Sequence, residues 1–280
     1  MTANALAETY ETEITAGQRF AFGENWARFL AQLNDRRVHE AENSLRELLG
    51  VDNLAGKRFA DIGSGSGLFS LAARRLGAEV VSMDYDPESV GCTAQLRDRF
   101  FPDDTRWLVQ RGSALDRSYL ESLGQFDVVY SWGVLHHTGS MWEALDNVAS
   151  MVASAGLLCV SIYNDQGPRS ARWLRVKRLY NRLPSGLRFL VLLPAALRLW
   201  GPTMIRDIIR GRPFRTWSGY FHERGMSPWR DVVDWVGGYP FEVAKPEQVF
   251  DFYRARGFEL VRLNTCGGGL GCNEFLFRRL

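Results

Sequence analysis

Two short stretches of the 280-residue chain carry residue types able to do chemistry together. The first is Asp61-Ile62-Gly63-Ser64-Gly65-Ser66-Gly67, with Asp84 following 17 residues after the last glycine. Glycines lack a Cβ, so the turn can use positive φ and a ligand can approach bare backbone amides. A carboxylate at the tip of the neighbouring strand can hold a diol through two hydrogen bonds. The second stretch is Trp132-Gly133-Val134-Leu135-His136-His137-Thr138. An imidazole near its neutral pKa can take the proton from a hydroxyl as that oxygen forms a new bond. Adjacent histidines in a loop with no nearby third ligand do not suit a mononuclear metal site.

The elements that must hold these residues follow from hydrophobic periodicity. Phe59 to Ile62 reads as a strand, Leu68 to Leu76 as a helix, and Glu79 to Met83 as a second strand ending at Asp84. Asp86 and Pro87 start a helix that Ser89 to Phe101 carries, and Trp107 to Gln110 is a third strand leading into the turn Arg111-Gly112-Ser113-Ala114. Phe126 to Tyr130 is a β-forming run suited to a strand buried on both faces. Ser140 caps a helix predicted to reach about Ser154, Gly156 ends it, and Gly156 to Tyr163 is the fifth strand. Upstream, Phe22, Trp26, Phe29, Leu30 and Leu33 share one helical face, and Val38, Ala41, Leu45, Leu48 and Leu49 continue to Gly50. Downstream, Pro246 starts a helix, and Glu259 to Cys266 and Asn273 to Arg279 are strands joined by a glycine-rich hairpin turn. The histidine loop falls at the carboxyl ends of parallel strands, where open α/β sheets bind ligands.

The glycine spacing alone admits two cofactors, S-adenosyl-L-methionine (SAM) or a nicotinamide dinucleotide, whose fingerprint places its third glycine one position later. The run D-x-G-x-G-x-G with its later acid is similar to motifs I and II of the class I SAM-dependent methyltransferases. FDVVYSWGVLHHT closely resembles their motif IV in the subgroup that acts on small metabolites, which weighs against a dehydrogenase. The resemblance covers residues 20–163 and 246–280. It implies an α/β fold: a seven-stranded, mostly parallel Rossmann-like sheet with helices on both faces. It also implies that Asp61, Gly63, Ser64, Gly65 and Gly67 surround the amino-acid end of SAM, and that Asp84 binds the ribose. Tyr85, Ser113 and Ala114 would flank adenine and Trp132 would border the methyl. Ser113 stands where such enzymes usually present an Asp, leaving its hydroxyl or the backbone for the adenine amino group. A helix ahead of the first strand often closes over the cofactor in these enzymes, which gives Asn25 and Trp26 a ligand-facing role as an alternative to packing on the sheet edge. By the same resemblance His137 is the general base, with His136 the second candidate and His222, Tyr163 and Asn164 as further lining.

Residues 165–245 interrupt this pattern with arginine, tryptophan and leucine, broken at Pro184, Pro194, Pro202 and Pro213. Trp173, Val176 and Tyr180 share one helical face and Ile205, Ile208 and Ile209 another, predicting short helices that form a lid over the acceptor pocket. The chain therefore divides into a flexible start (1–19), a SAM-binding core (20–164), a basic helical lid (165–245) and a C-terminal helix and hairpin completing the sheet (246–280). The formal charge of +2 hides an asymmetry, because residues 166–230 hold 13 Arg and Lys177 against Asp207 and Glu223. Four explanations stay open for these arginines: a solvated helix face, an acidic acceptor such as a phosphorylated sugar or carboxylate, a peripheral membrane or lipid-linked acceptor, or RNA. No NPPY-type tetrapeptide follows the fourth strand, against a nucleobase-amine acceptor.

Cys92, Cys159, Cys266 and Cys272 form no CxxC signature and read as reduced thiols of a cytoplasmic protein. The polar, acidic start resembles neither a signal peptide nor an anchor. The longest uncharged apolar run, Phe189 to Leu197, falls short of the roughly 20 residues of a spanning helix, so a soluble chain is expected. The expected activity is SAM-dependent methylation of a small molecule, at oxygen first and nitrogen second. Its rivals are methylation of RNA and a non-catalytic SAM-binding protein whose lid docks a partner.

Overall fold

The computed structural model describes residues 3–23, 26, 30, 33–224 and 228–280. Its strands are β1 (Arg58–Ile62), β2 (Glu79–Asp84), β3 (Trp107–Arg111), β4 (Phe126–Trp132), β5 (Val152–Tyr163), β6 (Phe258–Asn264) and β7 (Cys272–Arg279). They form one sheet in the order β3-β2-β1-β4-β5-β7-β6. β1 to β5 pair in parallel, while β7 runs antiparallel to both β5 and β6. The chain winds outward in one direction from β1 and in the other from β4, so a crevice opens at the carboxyl ends of these two strands.

Alternation along β1 shows how the layers are built. Ala60 and Ile62 face a core with Leu145, Val148, Phe275 and Phe277, whereas Phe59 faces the opposite core with Leu45, Leu71, Val80 and Trp107. The helices supplying these layers include α1 (Ala3–Thr15), α2 (Asp35–Leu49), α3 (Leu68–Arg75), α4 (Pro87–Phe100), α5 (Arg117–Ser122) and α6 (Met141–Ser150). In α2, Asn34 caps the start by accepting from the Arg37 amide, Gly50 closes the end with φ 68°, and Val38, Ala41, Leu45 and Leu49 are buried. Full burial of one such leucine stabilises the fold by about 1.5–3 kcal/mol.

The segment expected to form a lid folds into α7 (Pro168–Arg182), α8 (Phe189–Ile209), α9 (Arg215–Arg224) and α10 (Pro228–Gly237), after which α11 (Pro246–Arg254) leads into β6. Tyr180, Leu192, Ala195, Trp200, Val232 and Val236 give the lid its own core. Asn181 ties α7 to α10 by donating to the Lys177 and Gly237 carbonyls. The returning chain then bridges Ala244 to Asn164 beside β5.

Three expectations differ from the structure. The start expected to be flexible forms α1, because Leu6 and Tyr10, one turn apart, bury together against the core near Tyr85 and Arg111. Helix α6 ends at Ser150, and β5 begins four residues before Gly156 because Val152 pairs with Phe126 before a register shift. The lid helices are not all short: α8 runs 21 residues through Pro194 and Pro202. Both prolines are exposed, so the carbonyls each one frees a turn earlier can reach water. The segment Ser185–Ile209 is long and apolar enough, by length and composition, to cross a membrane.

Candidate functional site

The glycine turn after β1 is shaped by what surrounds it. Gly63, Gly65 and Gly67 adopt φ of 81°, 54° and 77°. A Cβ on Gly63 would meet the Val134 methyls at 2.4 Å, and one on Gly65 would meet the Trp26 indole at 3.0 Å. The turn is pinned from β2, since Asp84 Oδ2 accepts from the Gly65 amide at 2.9 Å and Oδ1 from the Asp86 amide at 3.0 Å. Burial raises the Asp84 carboxyl to about 6, with these backbone donors opposing the shift. The lone pairs left over on both oxygens face a cavity of about 440 Å³, within the range of small-molecule sites.

Asp61, on the same face of β1 as Phe59, is 3 % exposed and accepts from Ser70 Oγ of α3 at 2.5 Å. The chain of donors continues: Ser82 Oγ donates to Ser70 Oγ at 2.7 Å, and Trp107 Nε1 donates to Ser82 Oγ at 2.8 Å. A hydrogen-bonded file thus runs from β3 through β2 and α3 to Asp61. Burial raises this carboxyl to about 7, although the Ser70 bond favours ionisation.

Next to Asp84, the Tyr85 ring is covered by the Arg19 guanidinium at 4.7 Å and met edge-on by Tyr10 at 5.5 Å. Ser113 Oγ accepts from the Leu115 amide at 3.2 Å, which leaves its own proton free to be donated. The Ala114 carbonyl is taken by Asn147 Nδ2, so Ala114 offers the cavity its amide and methyl. Trp26 borders the cavity over Gly65, while Asn25 lies outside the described residues.

At the other end Trp132 stacks on Tyr130 with 4° between rings. His137 lies on the cavity wall with Nδ1 2.6 Å from the Pro240 carbonyl oxygen. Burial lowers its imidazole to about 3, against the pull of that carbonyl, and Lys177 and Arg19 add to the lowering. His136 behaves differently. It is fully buried and lies against Tyr163 with ring centroids 3.9 Å apart. Burial pushes its pKa well below the ordinary value, and it does not border the cavity.

The cavity brings together Asp61, Gly63, Ser64, Gly65, Asp84, Tyr85, Ser113, Ala114, Trp26, Trp132, His137 and Tyr163. Gly67 turns instead toward Thr93, whose side chain a Cβ there would meet at 2.9 Å. Asn164 braces the glycine-rich hairpin, donating to the Gly269 carbonyl and accepting from Asn273 Nδ2. The His222 side chain lies outside the described residues. Sequence reasoning missed Tyr10, Arg19, Phe20 and Phe22 from the N-terminal segment and Asp231 and Asp234 from α10. Arg19 ties this wall together, pairing with Glu13 at 2.5 Å and donating to the His137 carbonyl at 3.0 Å. The four-residue step from Leu6 to Tyr10 was the available signal; nothing in the sequence marked Asp231 and Asp234.

A sequence model described as a methyltransferase domain matches residues 27–193. The ubiquinone biosynthesis O-methyltransferase of Rhodopseudomonas palustris (strain BisA53) is 28 % identical over 114 residues, 41 % of this chain and 43 % of that protein. The ribosomal protein L11 methyltransferase of Leptospira interrogans (serovar copenhageni) is 43 % identical over 61 residues, 21 % of this chain and 20 % of the relative. These alignments span less than half of the curated relatives. Among solved structures, magnesium protoporphyrin IX methyltransferase from Synechocystis PCC 6803, with bound SAH, superposes with a TM-score of 0.54 at 17 % identity, covering 92 % of this chain and 94 % of that one. That likeness is one of fold. With the domain match spanning more than half of its length, the chain belongs to the methyltransferase domain family, and it shares the fold of that solved structure.

Proposed function

We propose that this chain transfers the methyl group of SAM to the hydroxyl oxygen of a small, largely apolar molecule, with His137 as general base. The observation that carries this reading is the His137 ring: Nδ1 faces a carbonyl that can only accept, so Nδ1 bears the proton and Nε2 is left as a bare acceptor on the wall of the same cavity as the glycine turn. The glycine turn supports SAM on an observation of its own, because Gly63 and Gly65 hold a positive φ that side chains rarely adopt, and the Gly65 amide donates to the Asp84 carboxylate on the cavity wall.

Bound SAM supplies a methyl on a positively charged sulfur, already activated for in-line displacement. The chain has mainly to position. Asp84 offers lone pairs to a ribose diol, Tyr85 and Ser113 flank the adenine position, and Trp132 on Tyr130 forms a flat wall toward the acceptor. His137 then takes the acceptor proton as its oxygen forms the new bond. Holding two reactants in line is worth up to about 7–11 kcal/mol of barrier, and a placed base contributes a further 10²–10⁴-fold.

The acceptor end is aromatic, with Phe20, Phe22, Tyr130, Trp132 and Tyr163 on its wall. Among the described residues Arg19 is the only arginine or lysine that borders the cavity, and the charged groups from the lid are Asp231 and Asp234. An acidic acceptor or a phosphorylated sugar gains no support from this arrangement, since the lid arginines do not converge on it.

Incubation with methyl-labelled SAM and paired acceptors, phenolic hydroxyls against the matching amines, tests the reading. Labelled ether is expected from the hydroxyl set. Transfer confined to amines would remove the oxygen assignment. Label in total RNA, with binding that falls steeply with salt, would favour the nucleic-acid rival. SAM binding with no product from any acceptor would favour a binding protein.

A further inference from the structure

Helix α8 is apolar on two sides. On one, Leu192, Ala195 and Trp200 are buried in the lid core with Val232 and Val236. On the other, Leu190, Leu193, Leu197, Ile205 and Ile208 recur at three- and four-residue steps or their multiples, which places them in one stripe. All five are exposed, with Leu197 at 71 % and the adjoining Ile209 at 80 %. A helix that packs by one face alone normally turns a polar face outward. This one does not, and a contiguous exposed apolar stripe marks an interaction surface.

The charges beside the stripe say what that surface meets. On α8 itself Arg198 and Arg206 are exposed, as are Arg210 and Arg212 directly after it. From residue 166 to 219 the single carboxylate is Asp207, which is buried and accepts from the Thr216 amide and hydroxyl at 2.7 and 2.9 Å. The exposed face is thus leucine, isoleucine and arginine with no acid among them. At an anionic bilayer the aliphatic side chains enter the acyl boundary while arginine stems extend their guanidiniums to the lipid phosphates. A second copy of this chain would set the same excess of arginine against itself, a poorer match.

We propose that the outer face of α8 docks the lid on an anionic lipid bilayer. The helix lies in the interface plane rather than crossing it, because its opposite face is committed to the lid core. The proposal stands on the lid surface alone and not on the oxygen-acceptor reading.

Flotation of the full chain with vesicles tests it, comparing phosphatidylcholine alone with phosphatidylcholine and phosphatidylglycerol in equal parts. Wild type is expected to float with the anionic vesicles and to lose binding as salt rises. Arg198→Gln and Arg206→Gln should each weaken binding about fivefold, and Leu197→Ser combined with Ile208→Ser by roughly 10- to 100-fold. These side chains are exposed, so SAM affinity by calorimetry and the unfolding temperature should stay at wild-type values and report that the fold is intact. Wild type that stays with the protein fraction at low salt would overturn the proposal. So would a double serine variant that floats like wild type, or a dimer in sedimentation velocity that the same variant dissolves, which would assign the face to a second copy. Vesicle binding without methyl transfer to any acceptor would leave the docking in place and remove the catalytic reading.

Discussion

His137 and Pro240 are joined across 103 positions of sequence: Nδ1 of the imidazole sits 2.6 Å from the proline carbonyl oxygen. The bond links the loop after β4 to the strand of chain that returns from the lid, and the Glu242 amide reinforces it by donating to the His136 carbonyl at 3.0 Å. The lid therefore sets the tautomer of a residue that belongs to the core. Once Nδ1 carries the proton, Nε2 has only its lone pair to offer.

Replacing His137 with alanine should lower turnover by roughly 10²–10⁴ and leave SAM affinity nearly unchanged. The pH profile adds a second test. Burial holds the imidazole of the free protein at about 3, so the ring is neutral at every pH above that value. Turnover should thus show no fall near pH 6.5 attributable to this ring. Single-turnover rates from pH 5 to 9 check this, and a descending limb near 6.5 that the alanine variant loses would contradict the assignment.

Asp84→Ala should weaken SAM binding by about 10- to 100-fold, since a hydrogen bond to a charged group contributes roughly 1.5–3 kcal/mol. The carboxyl is raised to about 6, so in the free protein it is largely protonated below that pH and ionised above it. The ionised form accepts more strongly from a diol, and SAM affinity should rise as pH increases through 6. Calorimetric titrations at pH 5 and 8 would sink the ribose assignment if wild type and variant bound alike at both.

How much of this could be read beforehand depends on whether the signal was local. Gly63, Gly65 and Asp84 announce a strand, a bend and a neighbouring strand within a few residues, whereas the order of the strands depends on pairings between distant segments that only the fold displays. Asn164 looked like a lining residue because it leaves β5 at the right edge, yet it is spent on the hairpin through Gly269 and Asn273. His136 stood second to His137 as a candidate base, and in the short 3₁₀ turn that holds both rings only His137 reaches the cavity while His136 is buried. Arg19, Asp231 and Asp234 arrive from distant segments, and only the tertiary fold places them on the same wall.

Ser70→Ala should destabilise the protein by about 1–3 kcal/mol, because it removes the hydroxyl donor to the Asp61 carboxylate and leaves the Ser82 hydroxyl proton without its acceptor in a buried setting. The pH dependence has a definite sign. Asp61 is raised in the folded state, so the native protein holds a proton that the unfolded chain has released, and its contribution to stability falls as pH rises from about 4 to about 7. Removing a bond that favours ionisation should carry that fall to still higher pH. Urea unfolding from pH 4 to 9 is the measurement, and a variant with the wild-type slope would show that the file of hydroxyls does not act on Asp61.

Lys177 poses the opposite case inside the lid. Its ammonium is fully buried between the Trp235 and Phe241 rings, at 4.4 and 4.7 Å, and donates to the Trp235 carbonyl. Burial lowers it to about 7, with the Asp234 charge opposing the shift. Between pH 7 and the ordinary lysine range the unfolded chain keeps a proton that the native state has lost, so stability should rise with pH across this window. Lys177→Met fits the same aromatic slot without the charge. It should be more stable than wild type by about 1–4 kcal/mol at pH 6 and draw level as pH approaches 10, where wild type is neutral as well. Paired denaturation curves at pH 6 and 9 decide the matter: a variant less stable than wild type at pH 6 would mean that the bond to the Trp235 carbonyl and the two rings outweigh the cost of burying the charge.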